Sequence, residues 1–325
     1  MQRKYNILVT ASGGDIAQSV AKILRRIDWI GHIIGTDASS DNAALHFVDS
    51  LHTIPKAESP EYLTRLANIA DKERVDFIIP VSEPELRVLW NAQHNQGCGP
   101  ARLVVPGGKA VPVCMDKFDT VEFLKSHRID MPWTVLTSHS APIQFPCVLK
   151  DRWSWGSRNL QIIDDADSAS FFAKRRHNAI FQEKLLPSDQ EYTCGIFRGR
   201  KGNVSTIIFK RSLIGGHTGK GAVVSDKEIE DLCRRVALVL DLRGSINLQL
   251  IKTEKGPIPF EINPRFSSTV MFRELLGFRD VLWSLLDLLG IDFSMPSSFL
   301  AGTRIYRIYD ELIFFPKEPS DLNKQ

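Results

Sequence analysis

The 325-residue chain reads as an α/β parallel-sheet domain followed by a larger α+β domain. Two observations predict this. Over the first hundred residues, short β-branched runs alternate with segments whose apolar residues recur at helical spacing. Beyond about residue 108 the strands follow one another with little helix between them. Length alone fits roughly two domains.

The first elements are "YNILVT" (5–10), a strand, and "DIAQSVAKILRRI" (15–27), a helix with Ile16, Val20, Ile23, Leu24 and Ile27 on one face. "HIIGTD" (32–37) is the next strand. In "SPEYLTRLANIADKE", Ser59 is the expected N-cap, with Pro60 at the first helical position. "VDFIIPV" (75–81) is a third strand. "SEPELRVLWNA" opens with Ser82 three residues before Glu85, a capping box. "RLVVP" closes the series. Strands alternating with helices imply a parallel sheet covered on both faces. The turn "TASGGDIAQ" lies where a dinucleotide fingerprint would lie, yet it matches G-x-G-x-x-G only through Ser12, Gly14 and Ala17. Asp37 has the spacing of a ribose-binding acid, but a tight structural turn is the better reading.

"PGGKAVPVCM" (106–115) reads as a linker. Then come a helix in "DKFDTVEFLKSHRI", strands in "WTVL", "FPCVLK" and "LQII", a helix over 167–176, and strands in "AIFQEKLLP", "EYTCGIF", "VSTIIFK" and "SINLQLI". "DKEIEDLCRRVALVL" is the one clear late helix.

Composition excludes several classes. The chain is 43% hydrophobic and 24% charged, with a formal net charge of +3. That imbalance is too mild to point to nucleic acid. Arg25-Arg26, Lys174 to Arg176 and Arg234-Arg235 read as solvated helix surface. The five cysteines, Cys98, Cys114, Cys147, Cys194 and Cys233, are widely spaced and odd in number. Reduced thiols and a cytoplasmic location follow. The first residues enter a strand at once, without a signal-peptide pattern. No run approaches the ~20 apolar residues of a membrane helix, so no membrane partner is expected.

Chemistry concentrates in "GSINLQLIKTEKGPIPFEINPRF". Read as strands over 245–251 and 258–266 around a polar turn, it forms a hairpin. Alternation puts Asn247 and Gln249 on one face, and Glu261, Asn263 and Arg265 on one face of the partner strand. Pairing brings the two rows together. One carboxylate and two amide oxygens suit Mg²⁺ that also keeps nucleotide phosphates and water, unlike a His- or Cys-based site.

Gln249 followed by Glu261-x-Asn263-x-Arg265 resembles the metal-binding hairpin of the ATP-grasp superfamily. The resemblance is greatest to the phosphorylating units of carbamoyl-phosphate synthase large chains and their single-unit relatives, and it covers nearly the whole chain. It implies a Rossmann-like, pre-ATP-grasp parallel-sheet domain over 1–108 that does not bind NAD. An α+β ATP-grasp fold follows over 109–325, divided at 109–185 and 186–310. "DKFDTVEFLKSHRIDMP" resembles the helix whose first basic residue touches ATP phosphate, here Lys117. "FPCVLKDRWSWGSRNL" resembles the strand and loop over the triphosphate and carries Lys150 and Ser157. A lysine ending an apolar strand can hold phosphate as a point charge. This loop departs from the family in glycine content, with Gly156 and Ser157 left and Trp153 and Trp155 before them. "IFQEKLLPSDQEYTCGIF" resembles the adenine hinge, with Gln182, Glu183, Lys184 and Leu185 at the adenine and Glu191 on the ribose. "IGGHTGKGAV" resembles a loop beside the triphosphate, with His217 the candidate.

The resemblance implies ATP with Mg²⁺, or Mn²⁺, as cofactors. Glu261 would bridge two metal ions, with Gln249 and Asn263 completing their shells. A carboxylate would attack the γ-phosphate to give an acyl phosphate, which an amine would displace. Lys117 and Lys150 would stabilise the transferring group and Arg265 would hold the acyl phosphate. Large-chain synthases carry two such units and this chain one, so a stand-alone carboxylate–amine ligase is expected, with a homodimer as its state. The rivals are a synthase-like subunit passing its product to a partner, and a non-catalytic ATP-binding module.

Overall fold

The computed structural model describes residues 3–94, 100–153 and 159–314. Ser157 and Cys98 lie outside them. The N-terminal part is a five-stranded parallel sheet ordered β3-β2-β1-β4-β5. Its strands are β1 (Tyr5–Val9), β2 (Ile30–Asp37), β3 (Ser50–Thr53), β4 (Phe77–Ile79) and β5 (Arg102–Leu103). Its helices are α1 (Asp15–Leu24), α2 (Tyr62–Lys72) and α3 (Glu83–His94). The expected α/β texture is present. Strand β3 is an addition, because "SLHT" has no apolar alternation to announce it.

Several local expectations are corrected. Helix α2 begins at Tyr62, because Ser59 caps a preceding turn: its Oγ accepts from Glu61 N at 3.4 Å and its carbonyl from Tyr62 N at 3.1 Å. Ser82 and Glu85 do meet, but side chain to side chain. The buried Glu85 carboxylate accepts from Ser82 Oγ (2.5 Å), Thr10 Oγ1 (2.7 Å) and the Tyr62 hydroxyl (3.1 Å), and burial pushes its pKa up. Asp37 is spent on the turn after β1, accepting from Gly13 N at 2.8 Å, which fits a structural turn.

The supposed linker contains α4 (Ala110–Cys114), whose Ala110 and Cys114 are buried. It leads into α5 (Lys117–Ser126), capped by Asp116, which accepts from Phe118 N at 2.8 Å. A four-stranded antiparallel sheet follows, ordered β6-β9-β7-β8. It comprises β6 (Thr134–Leu136), β7 (Cys147–Asp151), β8 (Gln161–Ile163) and β9 (Ala179–Glu183), and α6 (Ala166–Ala173) packs on it.

The last sheet has six antiparallel strands in the order β14-β13-β10-β11-β12-β15. These are β10 (Glu191–Arg198), β11 (Val204–Ile214), β12 (His217–Val224), β13 (Gly244–Thr253), β14 (Gly256–Asn263) and β15 (Arg304–Tyr306). One face carries Cys194, Ile196, Ile208, Ile246, Leu248 and Leu250 and buries them with α7 (Lys227–Val239), α4 and α5. The opposite face is divided. One end holds an aromatic cluster of Phe197, Phe209, Phe278 and Trp283. The other end carries polar residues.

Helices α8 (Val270–Leu275) and α9 (Asp280–Leu289) return to the N-terminal sheet. Val270, Val281 and Leu285 share a core with Ile7, Val9 and Val20. They also deliver Arg273, fully buried, to the six-stranded sheet. Its guanidinium donates to Asp280 Oδ2 (3.0 Å), Ser267 Oγ (2.9 Å) and Asn247 Oδ1. Gly195 of β10 makes room, since a Cβ there would lie 2.6 Å from Arg273 Nε. All four described cysteines are free and buried. Among the described residues no helix is long and apolar enough to cross a membrane.

Removing one partner of a buried ion pair leaves the other charge desolvated and alone. Asp280→Ala is therefore expected to lower the unfolding free energy by about 3–5 kcal/mol. Urea unfolding checks this, and a loss below about 1 kcal/mol contradicts it.

Candidate active site

The hairpin β13–β14 forms and sets the two polar rows side by side, as expected. Asn247 pairs with Asn263 and Gln249 with Glu261. A bulge next to Gln249 lets Leu250 face Pro259 and displaces Phe260, which keeps Glu261 and Asn263 beside the polar row. The strand ends at Asn263, not at 266, because Pro264 has no N–H for the ladder. Arg265 still turns back to the row and donates to Asn263 Oδ1 at 3.4 Å.

Between the four-stranded and six-stranded sheets lies a cavity of about 500 Å³. That is the size of a small-ligand site. Every expected site residue except Ser157 lines it: Lys117, Lys150, Gln182, Glu183, Lys184, Leu185, Glu191, His217, Gln249, Glu261, Asn263 and Arg265. Ser157 lies outside the described residues.

Each group reaches the cavity for a local reason. The Asp116 cap starts α5 at Lys117. Lys150 projects from β7 between apolar neighbours and is 6% exposed. It donates to the Phe260 carbonyl at 3.3 Å and stands 5.6 Å from that ring's centroid. Burial drives its pKa down to about 8, against the attraction of Glu261 and with help from Lys117. An ammonium this desolvated gains when an anion arrives. Gln182 is anchored by donating to Thr134 Oγ1 at 3.0 Å. The Glu183 N–H is already given to the Trp133 carbonyl at 2.9 Å, so it is unavailable to a base edge. His217 opens β12 after the turn Gly215-Gly216, where φ is 57° and 83°. These left-handed values favour glycine. The expected loop at 214–223 is thus part of a β-hairpin.

Two further arginine pairings were not legible in the sequence. Arg265 donates to Glu83 Oε1 at 3.1 Å, a buried contact from the start of α3. Burial pushes the Glu83 carboxyl up, and Arg265 opposes it. Arg211 of β11 is 6% exposed and lines the cavity. Its Nε and Nη2 donate to Glu191 Oε1 at 3.0 and 2.6 Å, and Nη2 donates to Gln249 Oε1 at 2.9 Å. The signal for Arg211 is the alternation in "IIFKRS", which puts it on the face of Phe209. Glu83 sits inside helix-start grammar, which gives no sign of an inward role.

Gln249, Glu261 and Asn263 offer hard oxygen donors with a single carboxylate. Among the described residues no group of three His, Cys, Asp or Glu could hold a metal ion by itself. The donor set therefore fits Mg²⁺ that shares its shell with phosphate and water.

Comparison with known proteins bears on the family and the fold. A family model described as "PylC-like, N-terminal domain" matches residues 7–99, and an "ATP-grasp domain" model matches residues 114–269. The carbamoyl phosphate synthase large chain of Clostridium beijerinckii is 25% identical over 277 residues, covering 77% of this chain and 25% of that protein. That of Methanothrix thermoacetophila is 23% identical over 145 residues, 40% of this chain and 14% of that protein. The chain thus spans at most about a quarter of these relatives. Among solved structures, N5-carboxyaminoimidazole ribonucleotide synthetase from Thermus thermophilus superposes with a TM-score of 0.70 at 17% identity, covering 90% of this chain and 80% of that one. Biotin carboxylase from Campylobacter jejuni, in a "beta-gamma-ATP" complex, gives 0.73 at 14% identity, covering 92% and 74%. At these identities the solved structures speak to the fold. The chain therefore carries an ATP-grasp domain, matched over residues 114–269, preceded by a parallel-sheet domain that is similar over residues 7–99 to the PylC-like N-terminal domain.

Proposed function

We propose that the protein is an ATP-dependent ligase that phosphorylates a small carboxylate and couples the acyl phosphate to an amine, releasing ADP and phosphate. The observation that carries this reading is one cavity lined by Lys117, Lys150, Glu261, Asn263 and Arg265. That set suits a triphosphate, a hard cation and a carboxylate together.

In this reading Lys184 and Leu185 present backbone groups to the adenine, and Glu191 accepts from the ribose hydroxyls. Lys117 and Lys150 hold the phosphates. Gln249, Glu261 and Asn263 would hold Mg²⁺, which supplies charge neutralisation on the transferring phosphoryl group. Arg265, kept in place by Glu83, holds the carboxylate and then the acyl phosphate as a planar fork. His217 stands beside the triphosphate. Catalysis rests on positioning and charge, and no side-chain nucleophile is needed.

We also propose the division at residue 108, the subdivision at 185, a cytoplasmic homodimer and Mn²⁺ as a substitute metal. The matched carbamoyl phosphate synthases favour one second reading, a subunit that phosphorylates a carboxylate or bicarbonate and hands it to a partner.

Two outcomes test the proposal. Incubated with Mg²⁺, ATP and pooled carboxylates, amino acids and amines, the wild type is expected to form ADP and a mass equal to two pool members less water. Glu261→Ala is expected to lose this turnover while keeping its circular-dichroism melting curve. Full activity in that variant contradicts the reading. The second outcome follows from Lys150. Above pH 8 the free protein holds Lys150 increasingly neutral, whereas bound phosphate favours the charged form. The complex then binds more protons than the free protein, so affinity for ADP falls as pH rises from about 8 to 10. Calorimetric titration of wild type and Lys150→Met checks this. The variant is expected to lose the slope, and an unchanged slope contradicts the assignment.

A further inference from the structure

Arg211 has no role in the reading above, yet it lines the same cavity. Its side chain is 6% exposed, and it bonds both Glu191 and Gln249. Its remaining terminal nitrogen, Nη1, donates to Thr218 Oγ1 at 3.3 Å, a long bond to a neutral hydroxyl. In the proposed binding mode Glu191 marks the ribose and Gln249 the metal and outer phosphates. Covalent geometry allows one group between those two ends of a nucleotide: the α-phosphate. A guanidinium spanning Glu191 and Gln249 therefore lies along the path of the α-phosphate.

The bond to Gln249 adds a second argument. The oxygen that Arg211 holds, Oε1, is the atom expected to face the metal. A cation and a guanidinium compete for it. When metal and nucleotide enter together, the guanidinium is displaced by the one and attracted by the α-phosphate of the other. Arginine suits such an exchange, because its fork can bond a carboxylate and a phosphate at once.

We infer that Arg211 is a nucleotide-binding residue that contacts the α-phosphate, leaving Gln249 for it while keeping its ion pair with Glu191. This rests on the proposed nucleotide site. Before nucleotide binds, Arg211 holds the ribose carboxylate and the metal-side amide in register. Afterwards it neutralises the phosphate that neither lysine is required to cover.

The test compares adenosine, AMP and ADP, without divalent cation, by calorimetry on the full chain. In Arg211→Met, AMP and ADP are expected to lose about tenfold more affinity than adenosine does, the scale of a lost charge-assisted hydrogen bond, because the loosening of Glu191 is common to all three. Equal weakening of all three would make Arg211 only a prop for Glu191 and overturns the inference. No change in any ligand overturns it, as does tighter AMP binding, which would make Arg211 a plug. Arg211→Lys keeps the charge, and a loss for AMP smaller than in Arg211→Met is expected. If neither variant folds, nitrogen-labelled arginine in the wild type still decides. A buried guanidinium signal must shift with AMP and not with adenosine, and the same shift with both overturns the assignment. Failure of the wild type to bind ADP at all is a separate result, which removes the nucleotide site itself.

Discussion

The buried guanidinium of Arg273 sets the geometry of the site. It comes from α8, whose neighbours pack into the core of the N-terminal sheet, and it ends on Asn247 in the polar row of β13. Asp280 supplies its counter-charge and Gly195 the space. Thr193 Oγ1 donates to the same Asn247 oxygen at 3.0 Å, so the base of the row is held from two sides. A buried ion pair is a poor source of net stability, because desolvation offsets its attraction. Its value here is positional: it registers the hairpin, the returning helices and the N-terminal sheet against one another. The contact between Arg265 and Glu83 of α3 ties the same parts at a second point.

Around that frame the cavity is charged unevenly. Arg265 is paired with Glu83 and Arg211 with Glu191, each within hydrogen-bond distance. Among the described residues, Lys150 has the Phe260 carbonyl and ring close by, and Glu261 and Lys117 act on it through space. The low dielectric that makes an isolated ammonium costly also makes an arriving phosphate valuable. In the proposed reading, the β7 end of the cavity takes the anion and Glu261 the cation.

What could be read in advance followed from local rules. The two polar rows of the hairpin came from alternation of period two on both sides of a Gly-Pro turn, whereas the pairing of Gln249 with Glu261 is set by the register. The positions of Lys117, Lys150 and the 182–185 hinge came from resemblance to a family with those segments in that order. Arg273 and Asp280 were not readable, because a charged residue in a short helix looks like surface until its neighbours are known. Helix α4 hid behind Pro and Gly residues that mimic a linker. Alternation in β11 sets Arg211 on the face of Phe209, but its contacts with Glu191 and Gln249 depend on strand order, which local patterns do not encode.

The position of a bound triphosphate decides between this site and any other. A crystal structure of the protein with Mg²⁺ and a non-hydrolysable ATP analogue measures it directly. Adenine is expected at Lys184 and Leu185, phosphates against Lys117 and Lys150, and metal at Glu261 and Asn263. A nucleotide bound elsewhere, or a metal away from the β13–β14 hairpin, contradicts the proposed function.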